Sequence, residues 1–373
     1  MPILFNQLLF DQFLTYLVIK MGRVKCDLDP TNAKTMRKEE LDELVASLIQ
    51  EYQVFGPVQR RSDVSFQRIH SADEMKIDYI TTTIPPKKFF HHRETIIGYK
   101  DDAYNVPGDG SEKPNLLFGV HPCDLNAILR LDRLFSEEFT DFYYHKRRQN
   151  SAIIALTCQR IGENCFCSSL GTGPSIDHGF DLLVTDLGES FLVEVGSSRG
   201  HEMIEGLNLP DASSLDLGEK EKVIQTTLSN FKKEMRIQGL AELASGSDEH
   251  DVWTLVAEKG GLAGCFPCLS CGNCSLVCPT CYCYEVADIP DLSLNSGVRL
   301  RELDSCQLLE YSEVALNGNF RPDRKSRIRH WMRCKFGAAA GGLESSCVGC
   351  GRCIHSCPAR IDQTEVAKKL GGR

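Results

Sequence analysis

Positive charge is scarce in this 373-residue chain: 42 lysines and arginines against 51 acidic residues leave a formal net charge of −9. Binding phosphate backbones needs a basic face, so nucleic acid is set aside as a partner. Familiar nucleotide motifs are missing as well. No Gly-x-Gly-x-x-Gly follows a strand pattern and no Gly-x-x-x-x-Gly-Lys-Ser/Thr occurs, so flavin or NAD chemistry is expected in a partner. Long apolar runs are also wanting. The stretch MPILFNQLLFDQFLTYLVIKMG at residues 1–22 is broken by Asp11, with no basic region before it and no small-residue cleavage site after it. It falls short of the about 20 apolar residues that span a bilayer. We read it as an amphipathic extension, or the product of an upstream start codon, with the domain proper opening near Met36.

Cysteine, by contrast, is abundant. Most of the eighteen fall in tight Cys-x-x-Cys and Cys-x-Cys groups, which in a long chain points to metal ligation and a reducing cytoplasm rather than to disulfides. The length suits two or three domains. We expect an N-terminal extension over 1–35, an α/β domain over 36–245 and a cysteine-rich domain over 246–373.

Within the middle domain, residues 38–52 set Leu41, Leu44, Val45, Leu48 and Ile49 on one helical face, with Gly56-Pro57 as the expected stop. Residues 85–88 (PPKK) and 101–114 read as loops. Two short apolar runs, LLFGV at 116–120 and AIIAL at 152–156, flank the helical pattern LNAILRLDRLF. A strand, helix, strand unit of this kind makes adjacent parallel strands. DLLVTDL and SFLVEV complete a small mixed sheet, and a charged helix is expected over 218–244, before a polar linker at 245–251. Beyond that linker only short helices are expected between the cysteine motifs.

Cys268-x2-Cys271-x2-Cys274-x3-Cys278-Pro279 and Cys347-x2-Cys350-x2-Cys353-x3-Cys357-Pro358 are one motif written twice. Three cysteines at this spacing wrap one 4Fe-4S cubane, and the fourth, before proline, reaches the other cubane. Cluster one is therefore assigned to Cys268, Cys271, Cys274 and Cys357, and cluster two to Cys347, Cys350, Cys353 and Cys278. Zinc is the alternative, but zinc sites use separated Cys-x-x-Cys pairs rather than three cysteines in series. Sixty-eight residues, 279–346, lie between the motifs, so the reading is a bacterial-type dicluster ferredoxin-like domain with a large insertion. The fold class as a whole is α+β. Clusters of this kind pass one electron at a time and imply no substrate chemistry.

A third site follows from topology. Cys123 follows one parallel strand and Cys158 the next, and Cys165 and Cys167 sit in the loop beyond, so four thiols converge at the carboxyl edge of the sheet. A third 4Fe-4S cluster, zinc, or plain buried thiols are the readings open there. Cys281, Cys283 and Cys306, with Cys265 and Cys334 nearby, are read as buried thiols around the cubanes, a fourth cluster being the alternative. His121, Asp124 and His178 are read as solvated or hydrogen-bonded loop residues, with a ligand or proton relay as the alternative. Gly171-Thr-Gly173-Pro174 is a weak signal for a phosphate or flavin. The basic run from Arg321 to Lys335 is either a docking face for an acidic protein or a solvated helix face covering the clusters.

Taken together, EYQVFGPV, PPKKFF, GVHPCDL, CFCSSLGTGP, CLSCGNCSLVCPTCYC, LDSC, NFRP and CVGCGRCIHSCP resemble the iron-sulfur beta subunits of soluble hydrogenase/sulfur reductase (sulfhydrogenase) complexes and the related iron-sulfur subunit of anaerobic sulfite reductase. The segments run in family order from about residue 38 to residue 360. Residues 1–35 and the stretch KGGLAGCFP before Cys268 look foreign to the family. The resemblance implies a non-catalytic electron-transfer subunit standing between a flavin-containing NAD(P)H reductase and a hydrogenase, sulfite reductase or heterodisulfide reductase subunit. A freestanding flavoenzyme whose N-terminal domain holds its own flavin or substrate is the alternative. A simple ferredoxin with an accessory domain is disfavoured, because roughly 250 residues ahead of the motifs suggest docking surface.

Overall fold

The computed structural model describes residues 32–101, 103–106, 113–136, 139–235, 268–336 and 345–369. The N-terminal stretch 1–31, the linker at 245–251, Cys265 and KGGLAGCFP lie outside these. β1 (Ala33–Arg37) is followed by α1 (Glu40–Glu51), whose Leu41, Leu44, Val45 and Leu48 are buried on one face. The helix stops at Tyr52, which is already extended, and Gly56-Pro57 lies inside β2 (Gln53–Arg60) rather than breaking anything. Pro57 is tolerated because parallel pairing of β2 to its inner neighbour ends at Phe55, so no ladder donor is lost on that side.

β3 (Asp63–Arg68) pairs antiparallel with β2. After β4 (Glu94–Lys100) and β5 (Ala103–Asn105) come β6 (Asn115–Val120), α2 (Pro122–Leu134), α3 (Phe142–Gln149) and β7 (Ser151–Leu156). β6 and β7 are parallel neighbours with Asn115 opposite Ser151, the strand, helix, strand unit read from their apolar runs. β8 (Leu182–Asp186) continues the parallel set, and β9 (Ser190–Val195) returns antiparallel to pair with β1. The resulting mixed sheet has seven strands in the order β1-β9-β8-β7-β6-β2-β3. Both of its faces are covered by buried apolar side chains. Met36, Leu116, Ile154 and Val193 lie in one cluster, and Leu117, Ile153, Leu125 and Phe135 in the other.

α4 (Ser198–Ile204) precedes α5 (Ser214–Ser229), which is shorter than the charged helix expected over 218–244 and starts earlier. Ser213 and Asp216 form a reciprocal capping box that fixes its start, and it ends at Asn230; residues 236–244 lie outside those described. The segment between the cysteine motifs is not limited to short helices. Beyond α6 (Asn273–Leu276) it holds the hairpin β10 (Tyr284–Pro290) and β11 (Ser296–Leu303) and the 13-residue α7 (Arg324–Phe336). β11 pairs antiparallel with β4, so a second sheet, β10-β11-β4-β5, takes strands from both the middle domain and the inter-motif segment. α8 (Arg352–His355) and α9 (Gln363–Lys369) close the described chain. Among the described residues no helix is long and apolar enough to cross a membrane.

Candidate metal centres

The two motifs fold alike. In each, a glycine after the second cysteine adopts positive φ (Gly272 at 77°, Gly351 at 74°) and caps a one-turn helix, α6 or α8, that carries the chain to the fourth cysteine. Asn273 Nδ2 donates to Ser356 O at 3.2 Å, joining the two turns. Ser270 and Gly349 occupy equivalent positive-φ positions, which turn backbone amides toward sulfur. Ser270 N donates to Cys268 Sγ and Gly349 N to Cys347 Sγ, each at 3.4 Å, and Ile361 N donates to Cys357 Sγ at the same distance.

A cavity of about 30 Å³ is lined by Cys268, Cys271, Cys274 and Cys357, the four cysteines assigned to cluster one, together with Cys353 of the second set and with Ser270, Gln307 and Gln363. Ser270 Oγ is buried there without a hydrogen-bond partner. Around the other set, burial is the main force pushing the Cys353 thiol up, followed by Cys347, Cys350 and Cys278, so these four sulfurs also sit as neighbours. Burial raises the Cys347 thiol to about 12 and the Cys350 thiol to about 11. Bare thiolates are disfavoured in such places, and iron supplies the missing positive charge. The donor sets fit cubanes.

Two lysines that sequence reasoning placed on the surface are buried against these sulfurs. Lys87, in the PPKK segment, is 3% exposed and donates from Nζ to Cys281 O at 2.7 Å. Lys335 is 1% exposed and donates to Thr280 Oγ1 at 2.9 Å. Neither meets a carboxylate among the described residues. Burial works against the Lys335 charge, but Cys278, Cys281, Cys334 and Cys347 outweigh it and hold the ammonium well above its usual range. Buried cations demand compensating anions, which thiolate-ligated clusters provide. The basic run thus forms a helix that covers the cysteine-rich core: Arg327, Ile328, Trp331, Met332, Lys335 and Phe336 of α7 are buried against it, while Lys325 and Arg333 face solvent.

At the sheet edge, Cys123 opens α2, Cys158 follows β7, and Cys165 and Cys167 lie in the next loop, all four buried. After burial, the largest influences on the Cys167 thiol are Cys165, Cys158 and Cys350; on Cys123, Cys167 and Cys350 act after Asp124. The four thiols and motif two therefore share one region. Phe166 N donates to Gly349 O at 2.8 Å and Thr172 Oγ1 to Val348 O at 2.9 Å. A Cβ on Gly349 would stand 2.6 Å from the backbone of Cys167, and one on Gly173 2.9 Å from its sulfur. The Gly171–Pro174 turn thus wraps a cysteine and does not open toward a phosphate. Among the described residues no three His, Cys, Asp or Glu side chains converge on the position of a single metal ion.

The connection that sequence reasoning missed is ionic. Asp124 accepts both terminal nitrogens of Arg352, at 2.6 and 2.7 Å, while Arg352 Nε donates to Thr82 O at 2.7 Å. The pair is 1% and 3% exposed, so Asp124 is no solvated loop residue. His121 is buried too, stacked on Tyr79 with centroids 3.9 Å apart, and burial lowers its imidazole to about 4. His178 does sit in the open, paired with Asp177 at 2.6 Å and apart from the thiols. The signal for the ion pair lay in the motifs themselves, since Asp124 adjoins Cys123 and Arg352 stands between Cys350 and Cys353.

Residues 267–361 match the family model of a 4Fe-4S dicluster domain. The chain is also 39% identical, over 323 residues, to sulfhydrogenase 2 subunit beta of Pyrococcus furiosus, covering 85% of this chain and 92% of that protein. It belongs to the sulfhydrogenase beta-subunit family. Membership, with the dicluster domain, makes this family member an iron-sulfur protein of electron transfer. No solved structure matches the chain significantly.

Proposed function

We propose that the chain is the electron-relay subunit of a cytoplasmic, anaerobic multi-subunit oxidoreductase. In this reading cubane one is held by Cys268, Cys271, Cys274 and Cys357, and cubane two by Cys347, Cys350, Cys353 and Cys278. The observation that supports it most is the cavity that gathers Cys268, Cys271 and Cys274 of one motif with Cys357, beside Cys353, of the other. When bound, such clusters pass single electrons at potentials set by hydrogen bonds, charge and solvent exposure. The chain's own part is to set those terms. Amides of Ser270, Gly349 and Ile361 donate to ligand sulfurs, Lys335 supplies fixed positive charge, and Trp331, Met332 and Phe336 exclude water.

Cys123, Cys158, Cys165 and Cys167 hold a third 4Fe-4S cluster in this proposal, supported by their common burial beside Cys350. One end of the relay meets a flavin-containing NAD(P)H reductase subunit. The other meets a hydrogenase, sulfite reductase or heterodisulfide reductase subunit, and the name of the sulfhydrogenase relative favours the first. Anaerobic purification of the chain with its native companions tests this. Co-purification of a flavoprotein reductase and one such catalytic subunit is expected; a chain that purifies alone with bound flavin overturns the relay. Iron analysis should return about twelve irons per chain, and about eight would remove the third cluster.

A further inference from the structure

The two cysteine motifs are one pattern, yet their surroundings part just after the fourth cysteine. Motif one continues as Cys278-Pro279-Thr280 and motif two as Cys357-Pro358-Ala359. Thr280 is buried, with its Oγ1 3.3 Å from Cys278 Sγ. The same Oγ1 accepts from Lys335 Nζ at 2.9 Å. A hydroxyl that accepts from an ammonium has its own proton to give, and the sulfur of the crossing ligand is the acceptor beside it. The main chain of Lys335 reaches the other motif, since its carbonyl accepts from Cys347 N at 3.3 Å and from Ser345 Oγ at 2.6 Å. One buried lysine thus bears on a cubane-two ligand from each motif. Among the described residues cubane one has no counterpart. Ala359 carries no hydroxyl, and Arg360 is exposed, as is Arg324, which donates to Cys268 O at 3.2 Å. Arg327, also buried on α7, donates to the carbonyls of Arg321 and Pro322.

We propose that Lys335, acting through Thr280 on Cys278, offsets the burial of cubane two and raises its reduction potential, so that the relay can fill it. The proposal rests on the relay reading and on the ligand sets given with it. An electron added to a thiolate-ligated cubane increases its negative charge, which water favours and burial opposes. Cubane one meets water at the exposed Cys271, whereas none of Cys278, Cys347, Cys350 and Cys353 is exposed. Left alone, the inner cubane is the harder one to reduce. A positive charge fixed in the same low-dielectric surroundings favours the reduced state. No other group near cubane two does this work. Arg352 is neutralised by Asp124 at 2.6 and 2.7 Å, and Gly349 N gives one neutral bond to sulfur where cubane one receives two, from Ser270 N and Ile361 N. One electron enters the cubane and one leaves it, and neither Lys335 nor Thr280 gives up a proton.

The test is an anaerobic redox titration of the iron-loaded protein followed by electron paramagnetic resonance, with cubane two taken as the signal that Cys278→Ser alters. Lys335→Met should weaken reduction of that cubane at least tenfold, a midpoint lower by about 59 mV or more for one electron, with iron content unchanged and the other signal in place. Thr280→Val keeps the shape but removes the hydroxyl, so it should lower the same midpoint by a smaller step, and Thr280→Ser should restore it. An unmoved midpoint in Lys335→Met, or an equal shift of both signals, overturns the proposal. Where Lys335→Met loses iron, the threonine variants decide: a lowered midpoint in Thr280→Val that Thr280→Ser restores supports it, and Thr280→Val at the wild-type value overturns it. Should Cys278→Ser and Cys268→Ser alter one and the same signal, crossed ligation is at fault, and the shift of that signal in Lys335→Met still decides the part of the lysine. Failure of the relay shows instead in the partners that co-purify, which these midpoints do not depend on.

Discussion

The buried pair of Asp124 and Arg352 offers a quantitative handle on how the middle domain and the cluster domain hold together. Asp124→Asn keeps the shape of the side chain but leaves the guanidinium, 3% exposed, facing a neutral amide. Stranding one member of a buried ion pair costs about 3–5 kcal/mol. At about 2–4 °C per kcal/mol for a cooperative unit of 150–250 residues, the melting temperature should fall by about 6–20 °C. Replacing both partners, as Asp124→Leu with Arg352→Leu, removes the desolvation penalty along with the attraction and should recover most of that loss. The assay is urea unfolding of the iron-loaded protein under argon, following cluster absorbance and far-UV circular dichroism together. Coincident midpoints justify two-state treatment. A loss below about 0.5 kcal/mol for Asp124→Asn, or a double variant as unstable as the sum of the two single ones, would refute the reasoning.

Three further outcomes are expected. Gly349→Ala meets the Cys167 backbone at 2.6 Å and an unfavourable φ of +63°, so it should destabilise by more than the about 1 kcal/mol expected of Gly171→Ala, where φ is +62° and nothing stands within 4 Å; paired urea midpoints check this. His91 is 1% exposed, and burial, helped by Lys87 and Arg301, lowers its imidazole to about 3. The unfolded chain, with a pKa near 6.5, binds the proton first, so stability is lost as pH falls below that value. Between pH 7.5 and 5.5 wild type should lose about 1.4 kcal/mol more than His91→Leu, read from denaturation midpoints. Finally, Cys278→Ser should alter the electron paramagnetic resonance signal of the cluster ligated by Cys347, Cys350 and Cys353, and Cys268→Ser the signal of the other; the reverse pattern would contradict crossed ligation.

Which parts of this architecture could be read in advance follows from the range of the forces involved. β6 and β7 were legible because strands buried on both faces become continuous apolar runs, and α1 because its apolar residues keep the helical period. The cysteine spacings are local and chemical, so they were legible as well. The hairpin β10–β11 was not. Val286 and Ile289 are exposed, its strands alternate charge with apolar residues, and its pairing partner β4 lies about 200 residues away in sequence. The burial of Lys87, Lys335 and the Asp124–Arg352 pair was not legible, for one shared reason. Charged side chains read as surface unless their counter-charge is visible, and here it belongs either to a distant segment or to ligand sulfurs.

Those same buried residues explain why the middle domain and the cluster domain cannot be treated as carrier and accessory. Lys87 reaches Cys281 O from before β4, Arg130 of α2 donates to Cys347 O at 2.7 Å, and Phe166 bonds to Gly349 from the loop that bears Cys165 and Cys167. Each contact fixes backbone next to a cysteine of a motif. A cluster's potential responds to hydrogen bonds and charge within its immediate shell, so a shift of the middle domain would change the potentials as well as the spacing. The large sheet therefore shares the immediate surroundings of the motif cysteines.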